Sequence, residues 1–465
     1  MPGPLHVIST HTIGDNKNML KTKLGFAISA ATLGMALSQT ASADFIGDSK
    51  ANVSLRNFYF NNDNRSNLAP TQNSDGRTPS KTEEWGQGFM VDYKSGFTEG
   101  TVGFGLDALA LVGLRLDGGK GNHQGSSMIP DKSDGSARDE WSHAGANAKV
   151  RFSKTTATYG NALMPKLPIL VANDGRLLPQ TFEGGIVTSN EIDGLTLTAG
   201  QIEHAVGRAS TNRTSLSVAG ASQDSNQFRF AGADWKPMKD LTAQYYFANL
   251  DDFYKQHFLG LTHTLPIADK QSLKTDLRYF RTRGEGENSK GTAGYRFGGY
   301  TRDNDGKIDN NTWSAAFTYS IDSHAIMLGH QRVSNNSNFA QLNQGNIGEG
   351  AGGGSLYLLT DRQINSFSRA GENTTFGQYS YDFAALGVPG LKTSLAYLKG
   401  VDGRANNGNR GDEWERDLTI EYVIQNGAAK GLGFAWRNAS YRSGIDGVRD
   451  QDQNRVIVSY TLSLL

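Results

Sequence analysis

Arginine and lysine recur at alternate positions in several short segments of this chain. Arg56 stands in Leu55-Arg-Asn-Phe-Tyr-Phe60, Lys149 and Arg151 lie two apart, and Lys274, Asp276 and Arg278 alternate. Arg437 and Arg455 stand in two further alternating segments near the end. A guanidinium stays ionised and grips a carboxylate through two parallel hydrogen bonds. Several on one wall would attract small anions and hand them along, whereas single ones would simply be solvated or paired with acids. The second chemically suggestive stretch is Ala162-Leu-Met-Pro-Lys-Leu-Pro-Ile-Leu-Val-Ala-Asn-Asp-Gly-Arg-Leu-Leu-Pro-Gln-Thr-Phe-Glu-Gly-Gly185. Its three prolines restrict the backbone, and its leucines, isoleucine and valine need something to pack against. Folded inward, it would carry Asp174 and Arg176 to a narrow point of a pore.

Other chemistry fails on spacing. Asp303-Asn-Asp-Gly-Lys-Ile-Asp309 opens like a calcium loop, but Ser314 stands where the twelfth-position glutamate belongs. Gly350-Ala-Gly-Gly-Gly-Ser355 is followed by no Gly-Lys-Ser/Thr and lacks the Gly-x-Ser-x-Gly nucleophile pattern. The nine histidines show no metal-binding pair on a helix, and cysteine is absent, which excludes thiol chemistry and disulfides. No metal and no cofactor are expected.

The elements that position these residues are short strands. Val456, Val458, Tyr460, Leu462 and Leu464 share one face, opposite Arg455, Ser459, Thr461 and Ser463, with Ile457 the exception. Val102, Phe104, Leu106, Ala108 and Ala110 alternate with Gly103, Gly105 and Asp107, and Leu432, Phe434 and Trp436 with Gly433, Ala435 and Arg437. Such a period of two marks strands with one apolar face. Eight short links, such as Ser153–Thr155 and Ile321–Ser323, alternate with nine mostly longer polar loops, the longest near 334–373. The count predicts an all-β, 18-stranded antiparallel transmembrane β-barrel with an inward-folded constriction loop. Short turns at one end and long loops at the other are the outer-membrane pattern. Apolar residues then face lipid and the other parity faces the lumen. A soluble propeller or sandwich would also alternate, but the 40–50-residue repeat of a propeller is missing.

The first residues carry an export signal: Lys17, Lys21 and Lys23, the apolar Leu24–Ala36, then Ala41-Ser-Ala43. The expected organisation is a signal peptide over 1–43, with Met19 an alternative start that would make 1–18 an extension, and one barrel domain over 44–465. After the signal no window is long and apolar enough for a helical span. With 46 basic and 46 acidic residues, nothing points to a nucleic-acid binder.

These residues carry a family resemblance. Leu55-Arg-Asn-Phe-Tyr-Phe60, Gly96-Phe-Thr-Glu-Gly-Thr-Val-Gly-Phe-Gly105, Arg176-Leu-Leu-Pro-Gln-Thr-Phe182, Gly387-Val-Pro-Gly-Leu391, Tyr422-Val-Ile-Gln425 and the closing Asp452–Tyr460 resemble the OprD family of outer-membrane carboxylate channels. The resemblance implies a monomer or loose homotrimer in outer-membrane lipid and lipopolysaccharide. It also implies a third loop that narrows the pore and a ladder of basic side chains that leads carboxylates through it. Carried over by position, Arg56 and Arg437 fall at or beside ladder positions and Arg65 is a looser match. Ala435 replaces a second arginine, and Arg410 or Asp412 stands at the basic position before strand sixteen. The third-loop version Asp174-Gly-Arg-Leu-Leu-Pro-Gln-Thr-Phe is similar to the branch handling aromatic and other small monocarboxylates, such as benzoate.

The candidate solute-binding residues are therefore Arg56, Arg65, Lys149, Arg151, Asp174, Arg176, Arg278, Arg437 and Arg455. The expected function is passive diffusion of small carboxylates, without catalysis, in the outer membrane of a Gram-negative bacterium. Three alternatives stay open. They are a channel for basic amino acids or peptides, a barrel enzyme, for which no nucleophile or acid–base cluster is visible, and an adhesin working through its long loops.

Overall fold

The computed structural model describes residues 43–65, 80–119, 121–123, 128–344 and 353–465. Eighteen long strands follow one another: β1 (Lys50–Asn64), β2 (Lys81–Lys94), β3 (Val102–Asp117), β4 (Glu140–Phe152), β5 (Thr155–Leu163), β6 (Thr181–Ile192), β7 (Leu195–Val206), β8 (Phe228–Met238) and β9 (Leu241–Leu250). The second half is β10 (Tyr254–Ala268), β11 (Gln271–Gly284), β12 (Asp309–Ile321), β13 (His324–Val333), β14 (Asn373–Asp382), β15 (Leu391–Arg404), β16 (Arg410–Val423), β17 (Gly433–Ser443) and β18 (Gln451–Ser463). Each is antiparallel to its neighbour, and β18 returns to β1 from Asn52↔Ser463 to Asn64↔Gln451. The sheet is thus a closed barrel without edges, as the alternation predicts. The expected export signal lies outside the described residues except for Ala43, which opens a short helix, Ala43–Gly47.

Parity governs the wall. Phe104, Leu106, Trp313, Phe317, Leu328 and Leu462 are exposed on the outer face, where a bilayer would cover them. The inner face departs from the expectation of a polar lumen. Phe58, Phe60, Phe228, Phe258, Phe280 and Phe376 point inward and are buried. They are buried because the long connections fold back into the barrel and pack on them. We label these connections L1 to L9 in chain order; L2 is 118–139, L3 is 164–180, L4 is 207–227 and L7 is 334–372.

Two apolar clusters hold the loops. Leu177 and Leu178 of L3 and Met128 and Ile129 of L2 pack with Phe58, Phe60, Leu109 and Leu111 of the wall. Ile169 and Leu170 of L3, Leu216 and Val218 of L4 and Phe339 and Leu358 of L7 pack with Phe182, Phe228, Phe258 and Phe280. Backbone pairing links the loops further. Lys166–Leu167 pairs with Leu170–Val171 inside L3, Val171 bridges Ser355 of L7, and Leu216–Ser217 of L4 pairs with Asn343–Gln344 of L7.

Candidate functional site

The tip of L3 sits against β1 and β2. Gly86 and Gly88 make room for it: a Cβ at Gly86 would lie 2.7 Å from a Leu177 methyl, and one at Gly88 would lie 3.1 Å from the Leu177 carbonyl. Leu177 and Leu178 seat there almost fully buried, each contributing about 1.5–3 kcal/mol of burial. Arg56 completes the attachment. Its guanidinium donates to both carboxylate oxygens of Asp174, at 2.7 and 3.2 Å, and to the carbonyl of Arg176 at 2.8 Å. The sequence places Arg56 on the lumen wall as a rung for solute; in the structure its hydrogen bonds anchor the loop.

Beyond this anchor arginines gather from three directions. Arg455 of β18 lies opposite Arg437 of β17 in the strand register. Arg208 comes from the start of L4 and donates to Asn173 Oδ1 at 2.7 Å. Arg362 comes from L7 and donates to Gln378 Oε1 at 2.9 Å. Arg176, on the L3 tip, lies over the Phe60 ring at 4.7 Å and within electrostatic range of Arg455 and Arg208. Burial, reinforced by the charges of Arg455 and Arg208, holds the Arg176 guanidinium well below its usual range. Burial likewise brings Arg208 down to about 10, still charged at neutral pH. Asp361 of L7 stands among them, and burial pushes its carboxyl up to about 6.

Arg455 and Arg208 form no ion pair among the described residues. Arg455 donates to Gln453 Oε1 at 2.7 Å and to the carbonyl of Gln363, both neutral acceptors. Elsewhere on the wall three cations have close partners. Arg437 is 2.8 Å from Glu421, Lys149 is 2.6 Å from Asp107, and Arg278 grips Asp276 bidentately while stacking on Tyr357 of L7.

A column of acids faces inward on β16: Glu413, Glu415 and Asp417, all buried. Glu415 accepts the backbone N–H groups of Ile364 and Asn365 at 2.9 and 2.8 Å. Glu413 accepts from Tyr441, from the side-chain amide of Asn365 and, at 3.4 Å, from Arg369. These carboxylates moor L7 and thereby place Asp361 and Arg362.

The sequence-derived positions divide between the constriction and the two ends of the barrel. Arg56, Asp174, Arg176, Arg437 and Arg455 converge at the L3 constriction, and Arg278 supports L7. Lys149 and Arg151 lie near the short-turn end. Arg65 lies on the opposite rim, 2.9 Å from Asp452 and 3.3 Å from Asp63. Arg410 and Asp412 are likewise paired near that rim, with Asp402 and Lys399. In the discounted calcium loop, Asp309 pairs with Arg283 at 2.6 Å and Asp305 with Lys307 at 3.4 Å. Among the described residues one trio, Glu183, Glu203 and His204, brings three possible metal-ligand atoms within 4.8 Å. Arg213 already pairs with its Glu183.

The sequence reading passed over Arg208, Asp361, Arg362 and the acids of β16. A signal existed for L7, since Leu356-Tyr-Leu-Leu359 is as apolar as L3 and calls for the same inward packing. A signal existed for β16 too, since the parity of Thr419 and Glu421 extends back through Asp417, Glu415 and Glu413.

A closed barrel whose long connections fold into its interior is a pore architecture, and sequence comparison assigns its family. The family model for outer-membrane porins of the OprD family matches residues 43–464. The chain belongs to the OprD family. Porin D of Pseudomonas aeruginosa is 35% identical over 97% of this chain and all of its own length. The crystal structure of P. aeruginosa OccK8 (OprE) is 49% identical and superposes with a TM-score of 0.81 over 91% of this chain and all of that one. P. aeruginosa OpdK, solved with vanillate, is 33% identical with a TM-score of 0.78, over 90% of this chain and all of that one. As an OprD-family porin the protein resides in the outer membrane of a Gram-negative bacterium. Its short turns therefore face the periplasm and its long loops the exterior. Small solutes cross through the lumen of this OprD-family barrel.

Proposed function

We propose that the protein passes small monocarboxylates, aromatic acids such as benzoate among them, by passive diffusion through the constriction between L3, L4, L7 and the β17–β18 wall. The observation that carries this reading is the pair of deep arginines, Arg208 and Arg455, that touch only neutral acceptors among the described residues. Buried acids stand within electrostatic range, Asp361 of both arginines and Glu415 and Asp417 of Arg455, but none pairs with either guanidinium, so each keeps N–H groups for a carboxylate. OpdK, a relative, was crystallised with vanillate, an aromatic monocarboxylate. The constriction comes from one chain, so each barrel is a complete pore in a monomer or loose homotrimer, set in lipid and lipopolysaccharide.

Selectivity is electrostatic at the constriction: the arginines raise the local anion concentration, and binding stays weak enough for release. Liposomes carrying the purified protein test this with benzoate, a dicarboxylate, arginine and a neutral sugar of similar size. Benzoate should pass fastest. Arginine preference would redirect the reading to basic amino acids, and equal passage of all four would mean an unselective pore.

A further inference from the structure

The periplasmic turn between β2 and β3 does not hang below the barrel; it folds into its mouth. Glycine makes this possible. A Cβ on inward-facing Gly103 would lie 3.0 Å from Phe97 Cβ and 3.1 Å from the Thr98 carbonyl, and one on Gly105 would lie 2.8 Å from the Gly96 carbonyl. Hydrogen bonds fix the fold of the turn. Leu106 N donates to Ser95 Oγ at 2.7 Å, Thr98 N to the Phe104 carbonyl at 2.9 Å, and Gly96 N to the Phe45 carbonyl at 3.0 Å. The Phe97 ring is thereby held beside two cations of β4. Its centroid is 4.4 Å from the Arg151 guanidinium and 5.0 Å from Lys149 Nζ.

The two cations differ. Lys149 is committed, with Asp107 at 2.6 Å and the Ser95 carbonyl at 3.0 Å. Arg151 is exposed to the lumen and has no ion pair or hydrogen bond among the described residues; the Phe97 ring is its contact. A cation over an aromatic face is held in orientation while its N–H edge stays open. Resting on the carboxylate-uptake reading above, we propose that Phe97 and Arg151 form a second solute site at the periplasmic exit. It takes the carboxylate on the Arg151 fork and the apolar or aromatic body against Phe97. Two weak sites in series, one at the constriction and one at the exit, favour flow because a solute arriving at the first can follow one leaving the second.

The test is block of ionic current by benzoate in planar bilayers containing single full-length channels. The chain has no cysteine, so Asp303→Cys in an extracellular loop and an impermeant thiol reagent report orientation. Arg151→Gln should weaken benzoate block from the periplasmic side by about fivefold or more, with extracellular-side block by the constriction retained. Phe97→Leu keeps most of the volume of the turn and should weaken benzoate block more than acetate block. If Arg151→Gln leaves periplasmic-side block unchanged while Arg455→Gln weakens block, the exit site is wrong and the carboxylate channel stands. If neither variant alters block from either side, both readings fall. Equal losses for benzoate and acetate in Phe97→Leu would overturn the aromatic half of the site.

Discussion

Replacing Arg455 by glutamine separates a permeation role from a structural one. Arg455 is buried, lies beside Arg437 in the register and is within range of Arg176 and Arg208, yet pairs with no acid among the described residues. Glu415, Asp417 and Asp361 lie within electrostatic range but none forms an ion pair with it, so their attraction offsets only part of the desolvation that the arginine suffers beside Arg437 and Arg208. Arg455→Gln should keep its thermal midpoint or raise it. The effect on an anion is opposite. A carboxylate at ~4 Å from one charge gains about 1 kcal/mol at the dielectric of water and about 4 at an effective value near 20. The acids within range of Arg455 offset part of this gain, so the loss should be about 1–2 kcal/mol, or roughly 5–30-fold in affinity. Benzoate block of single channels and the anion/cation reversal potential read this directly. The difference should shrink in molar salt, where the screening length falls to ~3 Å. Unchanged block at low salt, or a large drop in thermal stability, would refute the argument, since Arg455 would then be holding the wall rather than meeting the solute.

Arg56 predicts the reverse pattern. Arg56→Met removes two bonds to Asp174 and one to the Arg176 carbonyl; with Asp174 half exposed, about 1–3 kcal/mol of L3 anchoring should go. Open-channel noise should then rise and mean conductance shift, and quiet wild-type traces from the variant would contradict the anchoring role. Glu415→Ala leaves the N–H groups of Ile364 and Asn365 without their acceptor, at about 1–3 kcal/mol each. Trypsin should cut at Arg362 or Arg369 in that variant while sparing the wild type. His123 of L2 bonds Glu84 of the wall and lies 2.6 Å from Asp131. Burial alone would lower its pKa, but hydrogen bonds to Asp131 and Glu84 overcome this and raise it to about 9. Its contribution is full below about 6.5, the ordinary histidine value, and is lost as pH rises through about 9. Cleavage at Lys132 or Arg138 should accelerate between pH 7.5 and 9.5 in the wild type and be fast at both in His123→Ala; a pH-independent wild type would count against the clamp.

The barrel was legible because lipid outside and a lumen inside impose a strict period of two. The segments at Val102–Ala110, Leu432–Arg437 and Arg455–Leu464 show it, as do their turns. L3 was legible for a related reason: Leu167, Ile169, Leu170, Leu177 and Leu178 demand apolar partners. Those partners were not legible. Phe58 and Phe60 share parity with Arg56, and nothing local says that a loop more than a hundred residues later will cover them. The Arg56–Asp174 contact spans 118 residues of chain, and Arg208 and Arg362 reach the constriction on loops that pair with each other through Leu216–Ser217 and Asn343–Gln344, with L7 moored to Glu413 and Glu415 of the wall. Parity tells which way a strand residue points; whether water, a loop or a counter-charge meets it there is decided by distant chain.

That distinction also explains why the acids and arginines inside the barrel do different work, although both are inward and charged. Glu415 accepts two backbone N–H groups and Glu413 three side-chain donors, so their charges have become part of how L7 is fastened. Arg278 and Lys149 are paired with neighbouring acids on the wall. Arg208 and Arg455 have neither arrangement. Packing would be served as well by an apolar side chain of similar volume, since an unpaired buried guanidinium is a cost to folding. Under the proposed function a passing carboxylate would be the partner that turns this cost into binding, and because the cost is borne before the solute arrives, binding would not have to supply it.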